Sequence, residues 1–297
     1  MKMKKWRADA QALLFLLPFL IVYGLFTIWP MFKGVEMTFY KWTLIRKMDF
    51  LGWDNYSKVL QDREVWEALG HSLIFVVLTT PTMLVLSISL ALIANRKSVL
   101  QKFYRSIFFI PSVLSVAVAS YLGLFVFQPY TGLVNSVLHL IHLLPGGTEI
   151  FWLTETRLAW IAITLITLWW TVGFNFILHL SAIQEIPDEI YEAARLDGAG
   201  DRQMFWRITL PYLAPITKTI TMLQIIASFK VFMQIYIVTG GGPLDSTRPI
   251  IQLIYQTGFK SNDLGYAATM SYLLFVILLV LSALQYWMNN RKGAELS

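Results

Sequence analysis

Long apolar stretches separated by short polar connections dominate the pattern of hydrophobic and polar positions along the chain. One helical crossing of a bilayer needs roughly 20 mostly apolar residues. Six stretches meet this requirement or nearly do, at residues 12–29, 69–94, 106–127, 158–181, 216–238 and 266–288. The pattern therefore predicts an all-α membrane protein with six transmembrane helices. Residues 1–297 are expected to form one domain, because no linker or repeat interrupts the pattern.

The distribution of Lys and Arg predicts the orientation, since positively charged loops stay in the cytoplasm. The connection between the second and third stretches carries Arg96, Lys97, Lys102 and Arg105 and has no acidic residue. Basic residues also precede the first stretch and follow the last. Both termini are therefore predicted to be cytoplasmic. No small-residue cleavage site follows the first stretch, so we interpret it as an uncleaved helix and not as a signal peptide.

Composition supports the membrane prediction. Hydrophobic residues make up 56% of the chain and charged residues only 14%, whereas a soluble domain has about 25% charged residues. The net charge of +6 does not indicate nucleic acid binding, because the basic residues flank apolar stretches. The chain has no Cys and four His. His139 and His142 have a spacing that can hold zinc, but no third ligand is near, so a polar face at the membrane interface is preferred.

The connection between the fourth and fifth stretches, residues 182–211, contains two signals for short helices. Pro187 suits a first helical turn, and the helix is expected to run to about residue 197. Gly198 and Gly200 permit the turn geometry that stops it, and Asp201 is a candidate N-cap for a second helix through Ile208. Leu210-Pro211 is then expected to turn the chain into the next span. Two interpretations stay open from the residues alone, docking against a partner or lying on the lipid surface.

The same connection resembles the EAA loop of the binding-protein-dependent ABC importer permeases. Glu192-Ala193-Ala194, Gly198, Ile208 and Leu210-Pro211 have that spacing, and Asp197 and Phe205 also fit it. The resemblance implies the type I importer permease fold, with a peripheral helix at 12–29, core helices within 69–288 and a cytoplasmic coupling loop at 182–211 that docks into an ATPase subunit. The implied coupling residues, none of which performs chemistry, are Glu192, Ala193, Ala194, Asp197, Gly198, Ile208, Leu210 and Pro211.

Further segments resemble the MalF-like half of the carbohydrate importers, the CUT1 type. These are residues 14–30, 50–56 and 103–111 and the Thr-Gly-Gly-Gly-Pro run at 239–243. The chain lacks the extra N-terminal helices and the large insertion of the maltose protein, so contacts with a binding protein cannot be carried over from it. The resemblance implies four kinds of partner in a prokaryotic cytoplasmic (inner) membrane: a MalG-like second permease, two copies of an ATPase that binds ATP and Mg, an extracytoplasmic solute-binding protein, and a sugar.

Polar residues within the fourth and fifth stretches are candidates for a substrate path, because polar groups inside a membrane usually face a cavity or a partner helix. The resemblance points to Gln224, Ala227, Ser228 and Val231 as lining residues. Aromatic faces that could stack on sugar rings come from Trp169, Trp170 and Phe174, followed by Asn175. The alternative remains that the Trp residues serve packing, that Asn175 is an interhelical hydrogen-bond donor, and that Gln224 contacts another subunit.

Lys230 is expected about halfway along the fifth span, too deep for its ammonium to reach the lipid surface. It either attracts an anionic solute, such as a uronate oligosaccharide or a glycerol phosphate, or makes a structural contact with the partner permease or a backbone carbonyl. The sequence leaves both open.

Motifs of other function classes are missing from the sequence. It contains no HExxH, no GxSxG and no GxxxxGK[ST], so ATP must be hydrolysed by a separate chain. A stand-alone secondary transporter would need ion-coupling pairs or broken helices, which are not evident. An intramembrane enzyme would need a nucleophile with its base, or a metal site. The chain is therefore predicted to be a non-catalytic permease subunit of a sugar or oligosaccharide importer.

Overall fold

The computed structural model describes residues 2–96 and 98–293, and side chains within 13–96 and 98–288. Lys97, one of the basic residues used to predict orientation, lies outside the described residues, as do the side chains of the basic residues at both chain ends. The chain divides into two compact units. The first contains Met1–Val65 and Ile254–Ile277, and the second contains Trp66–Leu253 and Leu278–Ser297.

The first unit begins with one long helical rod. Helix α1 (Lys2–Tyr23), a π-helical turn (Gly24–Ile28) and helix α2 (Trp29–Thr38) follow one another without interruption. The predicted end at residue 29 was therefore wrong by about two turns. Pro30 does not stop the rod, because it falls in the first turn of α2, where its missing N–H costs no hydrogen bond.

A small β-hairpin follows the rod and was not predicted. Strands β1 (Tyr40–Trp42) and β2 (Lys47–Phe50) pair antiparallel, ahead of helix α3 (Asp54–Gln61). The Lys47 ammonium lies 2.6 Å from Glu36 and 3.5 Å from the centre of the Tyr40 ring, which fixes the hairpin to the end of the rod. The prediction of an all-α protein is thus correct for the long apolar segments and misses this hairpin.

The second unit is helical throughout its described part. Its helices, some of which begin or end in the first unit, are α4 (Arg63–Asn95), α5 (Gln101–Phe109), a 3₁₀ turn (Ile110–Val113), α6 (Val116–Val126), α7 (Leu133–Leu140), α8 (Thr156–Gln184), α9 (Asp188–Leu196), α10 (Asp201–Met204), a π turn (Phe205–Thr209), α11 (Leu210–Phe229), α12 (Met233–Val238) and α13 (Ile250–Tyr255). A π turn (Gln256–Lys260) and α14 (Leu264–Gly293) end the described chain.

The predicted third span, residues 106–127, is broken. Its two parts, Gln101–Val113 and Val116–Val126, meet at an angle of 102°. Leu114 is extended, and the Ser115 hydroxyl accepts a hydrogen bond from the Val118 N–H, which starts α6 as a new helix. An N-cap serine in a long apolar run was the signal for this break.

The predicted fifth span, residues 216–238, is also broken. Helix α11 ends at Phe229, and Phe232, with φ −146° and ψ −74°, separates it from α12. Lys230 therefore lies at a helix end, and not halfway along a continuous helix as predicted. At the start of the same segment, Leu210-Pro211 does not turn the chain. The π turn after α10 runs directly into α11, with Pro211 in its first turn.

Four helices of the described chain are long and apolar enough to cross a membrane: Leu13–Thr38, Arg63–Asn95, Thr156–Gln184 and Leu264–Met288. The bent pair makes a fifth if it is counted as one span. Helix α8 positions the candidate site, because its apolar residues lie at the centre of the buried clusters of the second unit. One cluster joins Phe176 and Leu180 to Ala91 and Leu213, and another joins Ile163 and Ile166 to Phe75 and Ile235.

Candidate functional site

A cavity of about 840 Å³ lies in the second unit, where the two broken helices meet α8. Its size is in the range of small-molecule sites in proteins. Residues from α4, the 3₁₀ turn, α6, α8, α11 and α12 line it. They are Phe75, Ser112, Val116, Thr167, Trp170, Thr171, Phe174, Asn175, Leu223, Gln224, Ala227, Ser228, Lys230, Val231, Phe232, Met233 and Gln234.

One wall of the cavity is a chain of hydrogen-bonded polar side chains. The Asn175 amide donates to Gln224 Oε1 at 3.2 Å, and the Gln224 amide donates to Ser228 Oγ at 3.3 Å. Ser228 Oγ lies 3.0 Å from Thr79 Oγ1 of α4. All four side chains are buried. Each amide keeps further donor and acceptor capacity, so this wall can offer hydrogen bonds to a bound solute.

Another part of the lining is held by Gln234. Its amide donates to Thr167 Oγ1 and, at 3.4 Å, to the carbonyl oxygen of Ile163. The Thr167 and Thr171 hydroxyls donate to carbonyl oxygens one turn earlier in α8, each at 2.7 Å. This bonding orients the amide of Gln234 across the break in the fifth span, so α12 is fixed to α8.

Lys230 is the one charged residue in the described lining of the cavity. Its backbone N–H caps α11 by donating to the carbonyl oxygens of Ile226 and Ala227, each at 3.2 Å. The Lys230 side chain is exposed in this chain. A full positive charge thus stands among amides, hydroxyls and aromatic rings.

The aromatic candidates separate into two groups. Trp170 and Phe174 line the cavity, and the Trp170 indole N–H donates to the Leu114 carbonyl oxygen at 2.9 Å, which holds the bend of the third span against α8. Trp169 is not among the lining residues. The Trp169 side chain is instead 45% exposed. All other residues predicted for the substrate path line it.

Several lining residues were not predicted as part of the site. Thr167 and Thr171 precede the predicted Asn175 at four-residue spacing, and the buried His179, outside the lining, continues the same stripe. This spacing places polar groups on one face of α8 and is visible in the sequence. The lining residue Ser112 and Thr79, which contacts the lining residue Ser228, lack such a signal, because each is a single hydroxyl that the fold brings to the site.

The coupling loop forms the predicted first helix and stop. Helix α9 follows Pro187 and ends in a Schellman motif: Gly198 N–H donates to Arg195 O, and Ala199 N–H donates to Ala194 O. Gly198 has φ +82°, the left-handed geometry expected of it. Gly200 is extended and caps α10, so the predicted N-cap role of Asp201 was wrong.

Helix α9 has no buried residue, and Leu196 at its end is 89% exposed. Glu192, Ala193 and Gly198 are exposed, and no atom lies within 4 Å of the position that a Cβ on Gly198 would take. The helix is tied to the following segment by Tyr191, whose hydroxyl lies 2.9 Å from the Thr209 hydroxyl. Of the other predicted coupling residues, Asp197 and Pro211 are exposed and Ala194, Ile208 and Leu210 are half-buried. The loop is therefore a fixed, uncovered surface.

The two histidines considered for zinc do not form a metal site. Within residues 13–96 and 98–288, no group of three His, Asp or Glu side chains is arranged to hold a metal. His139 instead lies 3.3 Å from Glu149 and 3.2 Å from the Leu144 carbonyl oxygen. Glu149 also accepts hydrogen bonds from the Tyr130 N–H and the Asn135 amide, and these donors lower the pKa of its carboxyl.

Two curated relatives resemble the chain over nearly its whole length. The multiple sugar-binding transport system permease protein MsmF of Streptococcus mutans is 36% identical, covering 93% of this chain and 94% of that protein. The sn-glycerol-3-phosphate transport system permease protein UgpA of Agrobacterium fabrum is 32% identical, covering 91% of each.

A solved structure has the same fold. It is a chain of a bacterial ABC transporter involved in the import of the acidic polysaccharide alginate, with a TM-score of 0.86 and 25% identity, covering 97% of this chain and 98% of that one. The same kind of transporter is known in complex with an alginate pentasaccharide-bound periplasmic protein. The model of one protein family matches residues 63–293. The chain therefore belongs to the binding-protein-dependent transport system inner membrane components.

Proposed function

We propose that the chain is one permease half of an ATP-driven sugar or oligosaccharide importer. The observation that carries the proposal is helix α9, which has no buried residue and has the residue spacing of a coupling loop. A helix of this kind in a membrane protein is suited to dock on a partner. The chain itself is a non-catalytic membrane subunit, as its relatives are.

Six membrane crossings are part of the proposal, with both termini in the cytoplasm. The broken α11–α12 segment supplies the sixth crossing, beside the four long helices and the bent pair. Irregular backbone at membrane depth is tolerated where it lines a cavity, and Lys230 to Phe232 all line one. The predicted single domain over residues 1–297 stays a prediction.

The loop at 182–211 is proposed to couple this chain to an ATPase. Glu192, Ala193, Ala194, Asp197 and Gly198 are on or just after α9, where a cleft of the ATPase could receive them. Ile208, Leu210 and Pro211 lie in the continuous helix that runs from α10 into α11. The contact of Tyr191 with Thr209 ties α9 to this helix, so a displacement of α9 would be passed to the helix that lines the cavity. ATP and Mg would be bound by the ATPase, not by this chain.

The proposed assembly contains a MalG-like second permease, two ATPase copies and an extracytoplasmic solute-binding protein in a prokaryotic inner membrane. The alginate transporter, which crystallised with its periplasmic binding protein, supports the last of these. The names of the relatives support a sugar or a sugar-related solute, and they include both sugars and a glycerol phosphate. Trp170, Phe174, Asn175, Gln224, Ala227, Ser228 and Val231 would line its path.

Affinity purification of the chain from its native membrane tests this proposal. We expect a second permease and an ATPase to co-purify with the wild type. Leu196→Asp, which places a charge on the uncovered end of α9, should lose the ATPase and keep the second permease. Leu244→Asp is the matched control, since Leu244 is equally exposed and lies in another loop. Two results would contradict the proposal. One is recovery of the ATPase with Leu196→Asp as well as with the control, and the other is no recovery of the ATPase with the wild type or either variant.

A further inference from the structure

The lining of the cavity carries an unbalanced positive charge. Of its 17 described residues, Lys230 is charged and none is acidic. The remaining polar groups are amides, hydroxyls and an indole, which are neutral. A lysine in a membrane-embedded cavity is costly unless a negative group or water accompanies it.

Nothing in the described part of this chain supplies that negative group. No carboxylate of residues 13–96 and 98–288 forms an ion pair with the Lys230 ammonium. The carbonyl oxygens at the end of α11 do not need it, because the N–H groups of Lys230 and Val231 already donate to Ile226, Ala227 and Ser228. The charge of Lys230 therefore has no structural use within this subunit.

We propose that the transported solute is an anionic sugar derivative and that Lys230 selects for its carboxylate or phosphate. This inference rests on the proposed function, transport of a sugar-type solute through this cavity. Lys230 lines the same cavity as the amide side chains of Asn175, Gln224 and Gln234. The amides and hydroxyls of Asn175, Gln224 and Gln234 would bind the hydroxyls of the same solute.

The selection would arise because the Lys230 ammonium bonds more strongly to a charged acceptor than to a neutral one. A hydrogen bond from an ammonium to an anionic oxygen is roughly twice as strong as one between neutral groups, and the gain is larger away from water. Such a bond corresponds to about tenfold to a hundredfold in affinity. A neutral sugar would leave the ammonium without a counter-charge.

The test uses the whole transporter, purified by an affinity tag on this chain together with its binding protein, and reconstituted in vesicles. ATP is supplied on the side of the membrane where the ATPase lies. Three solute pairs are compared that differ in charge: digalacturonate and its dimethyl ester, cellobiouronate and cellobiose, and glucose 6-phosphate and glucose. Each pair is measured with wild type, Lys230→Met and Lys230→Arg. We expect the wild type to favour the anionic member of at least one pair tenfold or more in kcat/KM. The methionine variant should lose this preference, and the arginine variant should keep most of it.

Three results would overturn the inference. ATP-driven uptake in which the wild type prefers the neutral member of every pair leaves the proposed function standing and removes the role of Lys230. If Lys230→Met lowers kcat/KM equally for both members of a pair, and Lys230→Arg keeps kcat/KM near the wild-type value for both, Lys230 would be assigned to a contact with the second permease. No ATP-driven uptake of any solute would remove the proposed function, and this inference with it.

Discussion

The side-chain amide of Asn175 donates a hydrogen bond to the amide oxygen of Gln224 at 3.2 Å, and this bond joins helix α8 to helix α11 beside the cavity. Both residues are more than nine-tenths buried. Sequence reasoning left two roles open for them, interhelical contact and solute path. Their geometry serves both, because each amide bonds to the other and still lines the cavity.

Replacing either amide should destabilise the chain by leaving the other unpaired. We expect Asn175→Leu and Gln224→Leu each to lower the free energy of unfolding by about 0.5–2 kcal/mol. The double variant should lose less than the sum of the two, because it leaves no orphaned amide. A double-mutant cycle of thermal unfolding in detergent measures this coupling.

Thr164 provides the control on the same helix. Its hydroxyl is buried and makes no hydrogen bond with the described part of the chain. Thr164→Val should therefore leave the unfolding temperature unchanged or raise it slightly. Additive losses in the Asn175 and Gln224 cycle would show that the two amides do not stabilise each other.

Gly173 allows the bent third span to approach α8, and an alanine there should be costly. A Cβ at this position would lie 2.8 Å from the Phe108 carbonyl oxygen and 3.0 Å from the Phe109 Cα, which are backbone atoms and cannot rotate away. Gly173→Ala is expected to destabilise by about 1–3 kcal/mol. Gly70→Ala in helix α4, where no atom lies within 4 Å of the new Cβ, should be neutral or stabilising. Thermal unfolding of both variants decides this, and equal midpoints would contradict the packing described.

Gly198 is required for its backbone angle and not for space within the chain. Gly198→Asn should preserve the end of α9, because Asn tolerates left-handed geometry. Gly198→Val should cost about 1–3 kcal/mol of local stability. Hydrogen exchange of the amides of Gly198 and Ala199, which donate to Arg195 and Ala194, reports the difference. Equal protection in both variants would remove the backbone explanation.

Glu149 should make the loop that contains it sensitive to acid. Hydrogen bonds from the Tyr130 N–H, then the Asn135 amide and His139, lower its pKa below the usual 4.5. The ionised carboxylate thus favours the folded state. Its stabilisation is full above about pH 4.5 and is lost as pH falls through the lowered value.

The unfolding temperatures of wild type and Glu149→Gln measure this effect. The wild type should be the more stable at pH 6, and the gap should close below pH 4.5, because the protonated carboxyl then resembles the amide. A gap that stays constant over this range would show that the carboxylate charge does not hold the loop. Both proteins are compared at each pH, so the acid response of groups that do not contact Glu149 cancels.

Prediction from sequence succeeded where one residue decides the local structure. Gly198 stops α9 in the left-handed geometry because glycine alone has no penalty there. The polar lining residues Gln224 and Ser228 are notable in the sequence because polar groups are expensive in a membrane helix, whereas Ala227 was named through the family resemblance alone. Thr167 and Thr171, which lie at four-residue spacing before the predicted Asn175, could have been found in the same way.

Prediction from sequence failed where a proline was expected to turn the chain and where a long apolar run was expected to form one continuous helix. Leu210-Pro211 was expected to turn the chain, but Pro211 falls in the first turn of a helix that follows a π turn, where no N–H is missed. The break at Lys230 has no local sequence signal of this kind. Long-range packing determines it, through Gln234 bonded to Thr167 of α8.

We expect solute to pass through the cavity between α8 and α11 when ATP is hydrolysed. The wild-type chain has no Cys, so Ala227→Cys adds one thiol at an exposed lining position, and Val85→Cys adds one at an exposed position on α4 that does not line the cavity. ATP-driven uptake by the reconstituted transporter is measured before and after treatment with a bulky, water-soluble thiol reagent. We predict that the reagent stops uptake in Ala227→Cys, that transported solute slows this inactivation, and that Val85→Cys is unaffected. Full uptake by a completely modified Ala227→Cys protein would contradict the claim.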